Sequence, residues 1–511
     1  MYSRNIYLLK NIGLLALSSF SSRLLLFILI PVYTSFLTTQ EVGIYDLVLS
    51  TATVLCPILT CNISAGVMRF FLDHFVSKQK VATVGFRFLF FGFLLSFIIV
   101  LICREFSSTV SKYAVYIFLL TSLFMLNQFL IEFAKGLESV YSIAVASFLG
   151  AVSLLIGTVF FLKYLKLALD GFFLASIISQ ALSALSFIIL LKVYSFIKFK
   201  DILGIRKSNA ASSVSTSTPL SSVILSDDEK SEHEESAFSL QHQMLAFSLP
   251  SITIAVGWWI NSTAGRYLVA MILGVGANGI LSVSYKIPQI VNLIHTVFIQ
   301  AWQISAVKEY SSNDSSFYYG RMFILNSFVL NIAGALTILF LKPICSLVFS
   351  ESFCDARLYI PYLIVSVIIN SVAGFLGPIL SAKKNSKAMA VSAIWGIVTN
   401  LLFSLVLICF VGIQGACLAA VISSFSIFVV RKKETESDMI ISNPWIVYIT
   451  WLLLLTEASI EIFTDWIFIE SCIVILICGL NYKEFILVIH KTVEFCSISY
   501  LKLKVLFNFK R

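Results

Sequence analysis

The sequence predicts an all-α polytopic membrane protein, and three observations carry that reading. Hydrophobic residues make up 59% of the 511 and charged residues only 12%, a balance far from that of soluble globular chains. Apolar runs long enough to cross a bilayer as a helix, about 20 residues, recur fourteen times. Lysine and arginine are divided unevenly between alternate connections.

The runs cover 11–36, 42–68, 82–103, 113–134, 141–163, 168–196, 247–273, 279–306, 321–341, 358–381, 388–411, 414–430, 443–463 and 466–489. The first follows Arg4 and Lys10, yet it is too long for the apolar core of a signal peptide and leads into further spans, so it reads as a retained helix. With the N-terminus inside, 27 of the 36 Lys and Arg fall in inner connections and termini and six in outer ones. The remaining three, Arg23, Arg266 and Lys286, lie inside spans. That asymmetry predicts an N-in, C-in topology and accounts for the net charge of +9 without invoking nucleic acid. The ten cysteines show no metal-ligand spacing and read as packing residues. Cys345 and Cys354 share one predicted outer connection, where a disulfide is an option.

Residues 1–200 read as a first lobe of six helices, and 246–433 as a second. Between them, 201–245 is rich in Ser with an acidic cluster from Asp227 to Glu235, the composition of a disordered cytoplasmic linker. Helices thirteen and fourteen (434–490) and a basic tail (491–511) follow. The lobes resemble each other: Leu37, Gly43 and Ile44 match Leu273, Gly279 and Ile280, and Gly171, Leu174, Ala175, Ile178 and Ser179 match Gly415, Leu418, Ala419, Ile422 and Ser423. The offsets, 236 and 244, are nearly equal. Six spans per copy give both copies the same orientation, which predicts two pseudo-symmetric lobes about an axis along the membrane normal, suited to alternating access.

A charge inside the bilayer costs several kcal/mol and marks a protein interior or a water-filled path. Arg266 and Lys286 stand at similar depth on either side of the turn at Gly274–Gly279, and Arg23 lies nearer the midplane. Asp46 is the one carboxylate placed clearly within a span to offset them. Such an excess of cation suits an anion, and Arg matches phosphate oxygens with a planar fork of donors. The alternative is that these cations bond helix carbonyls or Asp46 and hold helices together. Asn62, Asn261, Gln289 and Asn292 suit either sugar hydroxyls or interhelical hydrogen bonds. Trp258, Trp259 and Trp302 suit ring stacking or interfacial anchoring. His295 reads as a packing residue, with a proton relay as the alternative. No catalytic constellation, nucleotide motif, metal site or cofactor site is evident.

The pieces Leu249-Pro250, WWINSTAGRYL (258–268), GILSVSYKIPQI (279–290) and FIQAWQISAVKEY (298–310) resemble the Wzx-type polysaccharide flippases of the multidrug/oligosaccharidyl-lipid/polysaccharide (MOP) exporter superfamily. KNIGLL (10–15), IPVYTSFLTTQEVGIYDLVLS (30–50), MRFFLDH (68–74), GPILSAKKNSKAMAVS (377–392) and FVGIQGACLAAVISS (410–424) extend the resemblance over most of the chain. It implies fourteen helices, two six-helix lobes plus two, and a polyprenyl-diphosphate-linked oligosaccharide carried across the bacterial cytoplasmic membrane. Implied partners are membrane lipids, glycosyltransferases and a polysaccharide polymerase. The chain departs from the family where an acidic residue often precedes the Arg-Tyr pair; here it is Gly265-Arg266-Tyr267.

The expected function is therefore lipid-linked oligosaccharide flipping, with Arg23, Arg266 and Lys286 on the diphosphate. Within the superfamily the rivals are a lipid II flippase and a drug/cation antiporter, the latter requiring embedded carboxylates. The rival from another class is a membrane polysaccharide polymerase or ligase, which would want a large outer loop, whereas the longest connection here is cytoplasmic.

Overall fold

In hydrocarbon a helix satisfies every main-chain polar group within one segment, and the apolar runs fold accordingly. A computed structural model describes residues 25, 27–73, 76–196, 224–310, 312, 314–441, 443–464, 466–488 and 490. Among these residues all regular structure is helical. Eleven helices are long and apolar enough to cross a membrane, or twelve if one bent pair counts as a span. They correspond to expected spans two to seven and nine to fourteen. The first expected span lies mostly outside the described residues, and the eighth is broken in two. The chain divides into two compact units, 1–263 and 264–511.

The first unit contains α1 (Phe27–Phe36), α2 (Thr39–Leu59), α3 (Ile63–Phe71), α4 (Lys78–Phe106), α5 (Ser108–Gly136), α6 (Val140–Thr158), α7 (Ala168–Leu190) and the first part of α8 (Ile224–Ile272). Thr38 and Glu41 start α2 as a reciprocal cap: the Glu41 amide donates to Thr38 Oγ1 at 3.3 Å, and the Thr38 amide donates to Glu41 Oε2 at 2.8 Å. Expected span two does not continue to 68. Pro57 supplies no amide donor, and Cys61 and Asn62 take left-handed φ angles of 51° and 46°, so the chain breaks and restarts as α3. The unit's core is aromatic, with Phe71 edge-on to Phe133 at 4.7 Å and Phe86 edge-on to Phe129 at 4.7 Å. α8 reaches back to Ile224, through the acidic residues expected to lie in an unstructured linker. Glu and Lys are good helix formers, and acids near a helix start are favoured. Residues 197–223 lie outside the described residues.

The second unit contains the end of α8, α9 (Val275–Ser284), α10 (Lys286–Glu309), α11 (Ser315–Leu339), α12 (Leu341–Val348), a 3-10 segment (Glu351–Tyr359), α13 (Ile360–Ala382), α14 (Ser386–Val411), α15 (Ile413–Thr435), α16 (Trp445–Phe463), α17 (Ile467–Leu480) and α18 (Tyr482–Val488). α13 is buried along nearly its whole length and packs against α10, α11, α15 and α16. Trp302 fixes α10 to it by stacking on Phe375 at 4.3 Å and donating Nε1–H to the Phe375 carbonyl at 3.0 Å. Trp302 is thus a core residue, neither interfacial nor open to a sugar. Cys345 and Cys354 are both thiols, so the disulfide does not form. Arg431, counted with an inner connection in the sequence, is on α15, donating Nε–H to Ser392 Oγ and Nη1–H to the Ala373 carbonyl, both at 3.0 Å. Lys383, just past α13, donates to Asp438 at 2.9 Å, a bond that holds its ammonium above the usual lysine range.

The internal repeat has a physical basis in each unit. Ser179 on α7 donates to the Gly150 carbonyl of α6 at 2.8 Å, and its counterpart Ser423 on α15 donates to the Gly396 carbonyl of α14 at 2.8 Å. The matched glycines sit where those same hairpins close. A Cβ on Gly171 would stand 3.0 Å from Phe161 and Leu167, and one on Gly415 only 2.3 Å from the Leu407 backbone. Without a hydrophobic drive between helices in lipid, small residues that admit close approach and hydroxyl bonds across the contact carry the association.

Gly415→Ala is expected to force α14 and α15 apart, costing about 1–3 kcal/mol as overpacked contacts do. Thermal unfolding of detergent-solubilised protein measures this, with Gly479→Ala, where an added Cβ meets nothing within 4 Å, expected to leave the midpoint unchanged.

Candidate functional site

The break in expected span eight builds the site. Pro288 is the third residue of α10, and its ring and missing amide conflict with the carbonyl one turn earlier, at Ser284. The helix accordingly ends at Ser284 and restarts at Lys286. The Ser284 hydroxyl ties that end down, lying 2.9 Å from the Ile280 carbonyl and 3.1 Å from the Ala356 carbonyl. Tyr285, at the break, receives the α8 cation: the Arg266 guanidinium carbon lies 4.6 Å from the centre of its ring. Gly274, with a φ of 97°, makes the turn that folds α8 back on α9.

Arg266 and Lys286 are both half-buried. An aromatic face offsets part of the cost of holding a guanidinium away from water, about 2 kcal/mol when desolvated. A guanidinium's planar fork of donors matches phosphate oxygens. At Gly265 an added Cβ would stand 3.7 Å from Ser404 Oγ and 3.8 Å from Asn400 Oδ1. Gly265, which stands where the family resemblance implies an acid, therefore faces two neutral polar groups of α14. Along α10, Gln289 and Asn292 are exposed and three residues apart, so they share a face with Tyr285, while Trp302 and His295 are buried. His295 packs beside Phe298, their ring centres 6.3 Å apart.

The other sequence-predicted residues belong to the first unit or lie outside the described residues. Arg23 is outside them. Asp46 is buried. Asn62 donates Nδ2–H to Ser251 Oγ at 2.7 Å, fastening the break after α2 to α8. Asn261 is half-buried, with its amide oxygen lacking a hydrogen-bond partner among the described residues. Trp259 donates to the Ser50 carbonyl at 2.7 Å, and Trp258 is exposed.

Two features escaped the sequence reading. Tyr285 is the ring under Arg266; its adjacency to Lys286 was the available signal. The other is a set of acids. Asp46 is not the one carboxylate inside the spans, since Glu457, Glu461 and Glu470 on α16 and α17 are all buried. Glu457 and Glu461 lie within two turns of the end of α16, inside expected span thirteen, and packing of α16 against α13 and α17 closes over them. Among the described residues no three His, Cys, Asp or Glu side chains are grouped to hold a metal ion.

The fold is that of the MOP exporters. It resembles the lipid II flippase MurJ in its inward closed conformation, with a TM-score of 0.64 and 13% identity over 94% of this chain and 99% of that one. An inward-facing multidrug resistance MATE family transporter of the same superfamily is similar with a TM-score of 0.55 and 12% identity, over 88% and 96% of the two chains. A MOP superfamily transporter from Pyrococcus furiosus, described as having a binding pocket of reverse polarity, gives 0.51 and 13% over the same shares. No curated protein sequence matches the chain. The family profile described as polysaccharide biosynthesis protein matches residues 8–303, more than half of the chain, and the protein belongs to that family. The resemblance to a polysaccharide-exporter family read from the sequence is thereby upheld as membership of a polysaccharide biosynthesis family with a MOP-exporter fold.

A double-mutant cycle checks the Arg266–Tyr285 contact. Arg266→Ala and Tyr285→Ala are expected to couple by about 1–2 kcal/mol in detergent unfolding, while Tyr285→Phe keeps most of that coupling.

Proposed function

We propose that this protein moves a polyprenyl-diphosphate-linked oligosaccharide from the cytoplasmic to the outer leaflet of a bacterial cytoplasmic membrane, by alternating access, for O-antigen, capsule or exopolysaccharide assembly. The observation that carries the reading is the Arg266–Tyr285–Lys286 arrangement at a helix break: two cations adjoining one aromatic ring in a mostly apolar hairpin suit a diphosphate. Membership of a polysaccharide biosynthesis family supports the sugar-bearing half of the substrate. In this reading Arg266 grips phosphate oxygens through its fork, Lys286 supplies a second charge and Arg23 a third. The exposed amides of Gln289 and Asn292 meet sugar hydroxyls. Glycosyltransferases that build the lipid-linked unit and a polymerase that consumes it are the partners.

Lipid II flipping is the nearest second reading, supported by the likeness to MurJ over 94% of the chain. The two differ in the sugar carried, not in the diphosphate, so the same cations serve both.

Arg266→Ala removes a charge-assisted contact of about 1.5–3 kcal/mol, which weakens diphosphate binding roughly tenfold to a hundredfold. Surface polysaccharide is expected to fall accordingly, with lipid-linked units accumulating in the inner leaflet and membrane insertion intact. Gly265→Asp, which places a carboxylate beside Arg266, is expected to lower export without a fall in protein level. Normal surface polysaccharide in cells carrying both Arg23→Ala and Arg266→Ala would remove the site assignment.

A further inference from the structure

The acids buried on α16 and α17 are not used by the diphosphate site. Glu457 and Glu461 are one turn apart on the same face of α16, 0% and 4% exposed, and Glu470 at the start of α17 is 2% exposed. The 3-10 segment contributes Arg357, whose Nε lies 3.7 Å from Glu461 Oε1. Glu457 is the odd member. Both of its carboxyl oxygens are sealed from solvent and have no hydrogen-bond partner among the described residues, and Glu470 and Glu461 are the acids that act on it.

We propose that Glu457 is a membrane-embedded proton-binding site, set beside the Arg357–Glu461 ion pair. A carboxylate held without a partner away from water costs several kcal/mol, and two neighbouring acids add repulsion, so the geometry holds Glu457 as the neutral acid. A neutral acid without a partner wastes its own O–H donor, a cost that an apolar side chain of similar size would avoid. What the acid offers that such a side chain does not is a second state. On loss of its proton to water at the α16–α17 turn, the new charge stands one helical turn from the residue that holds Arg357. No bond other than O–H changes, and no electron moves.

The surroundings favour a proton over a metal cation. Among the described residues the three carboxyls do not converge as a metal-holding group. α13, packed on α16, carries no charged residue, and its Tyr362 hydroxyl lies 3.0 Å from Ser459 Oγ. The one charged residue of α11 is Arg321, exposed near that helix's start. α12 contributes Cys345, which feels the charges of both Arg357 and Glu461. On α15, the cations Arg431 and Lys432 are at the other end of α16, where Lys432 lies 2.7 Å from the Tyr448 hydroxyl. Among the described residues, Glu461 and Glu470 are the charged groups that act on Glu457, and Arg357 and Cys345 adjoin Glu461, with Tyr362 nearby.

Infrared difference spectroscopy of the full chain in lipid vesicles, stepped from acidic to alkaline buffer, tests the site. The expected result is a protonated-carboxyl C=O band that disappears as pH rises, is missing in Glu457→Gln and is retained in Glu309→Gln, where the replaced acid is exposed. Glu457→Asp, which keeps the acid, is expected to shift the band without abolishing it and covers the case of a misfolded Gln variant. A wild-type spectrum without a band dependent on Glu457 overturns the proposal, as does a band that persists unchanged across the pH range in which the protein stays folded. The vesicles contain no lipid-linked substrate, so failure here leaves the flippase reading standing, and failure of the export experiment leaves this site standing.

Discussion

The structure depends on one constraint: hydrocarbon offers no hydrogen bonds, so every interruption of a helix has to be answered by another part of the protein. After α2, Pro57 and the left-handed Asn62 break the chain, and the Asn62 amide bonds Ser251 on α8. At Tyr285, Pro288 breaks it again, and the Ser284 hydroxyl reaches the Ala356 carbonyl. The irregular backbone that makes a binding site possible therefore exists only where side chains from distant sequence secure it.

Charges obey the same constraint more strictly. Arg266 rests on an aromatic ring, Arg431 donates to a carbonyl and a serine, and Arg357 faces Glu461. These three solutions have different consequences. Arg431 is spent on holding α13, α14 and α15 together. Arg266 meets the face of the Tyr285 ring. Arg357 stands in a cluster with more acids than cations, which gives the second unit a pH-sensitive element on helices beyond the repeat.

The repeat shows how the same constraint shapes assembly. Ser179 with Gly150 and Ser423 with Gly396 make the same bond between consecutive helices, and Gly171 and Gly415 stand where a Cβ would meet atoms at 3.0 and 2.3 Å as those pairs close. Residues that looked like a weak sequence match are the ones through which helices contact where neither lipid nor water helps.

The fold class, nearly all span positions and the repeat were legible from sequence, because twenty-residue apolarity and six-span periodicity are properties of contiguous residues. That the hairpin carries the cations Arg266 and Lys286 was legible for the same reason. What surrounds each group was not: the ring beneath Arg266, the burial of Trp302, the separate thiols of Cys345 and Cys354, and the enclosure of Glu457 each depend on residues tens of positions away. Partitioning into the membrane is decided segment by segment along the chain, whereas the energy of a polar group inside it is decided by the neighbours that packing supplies.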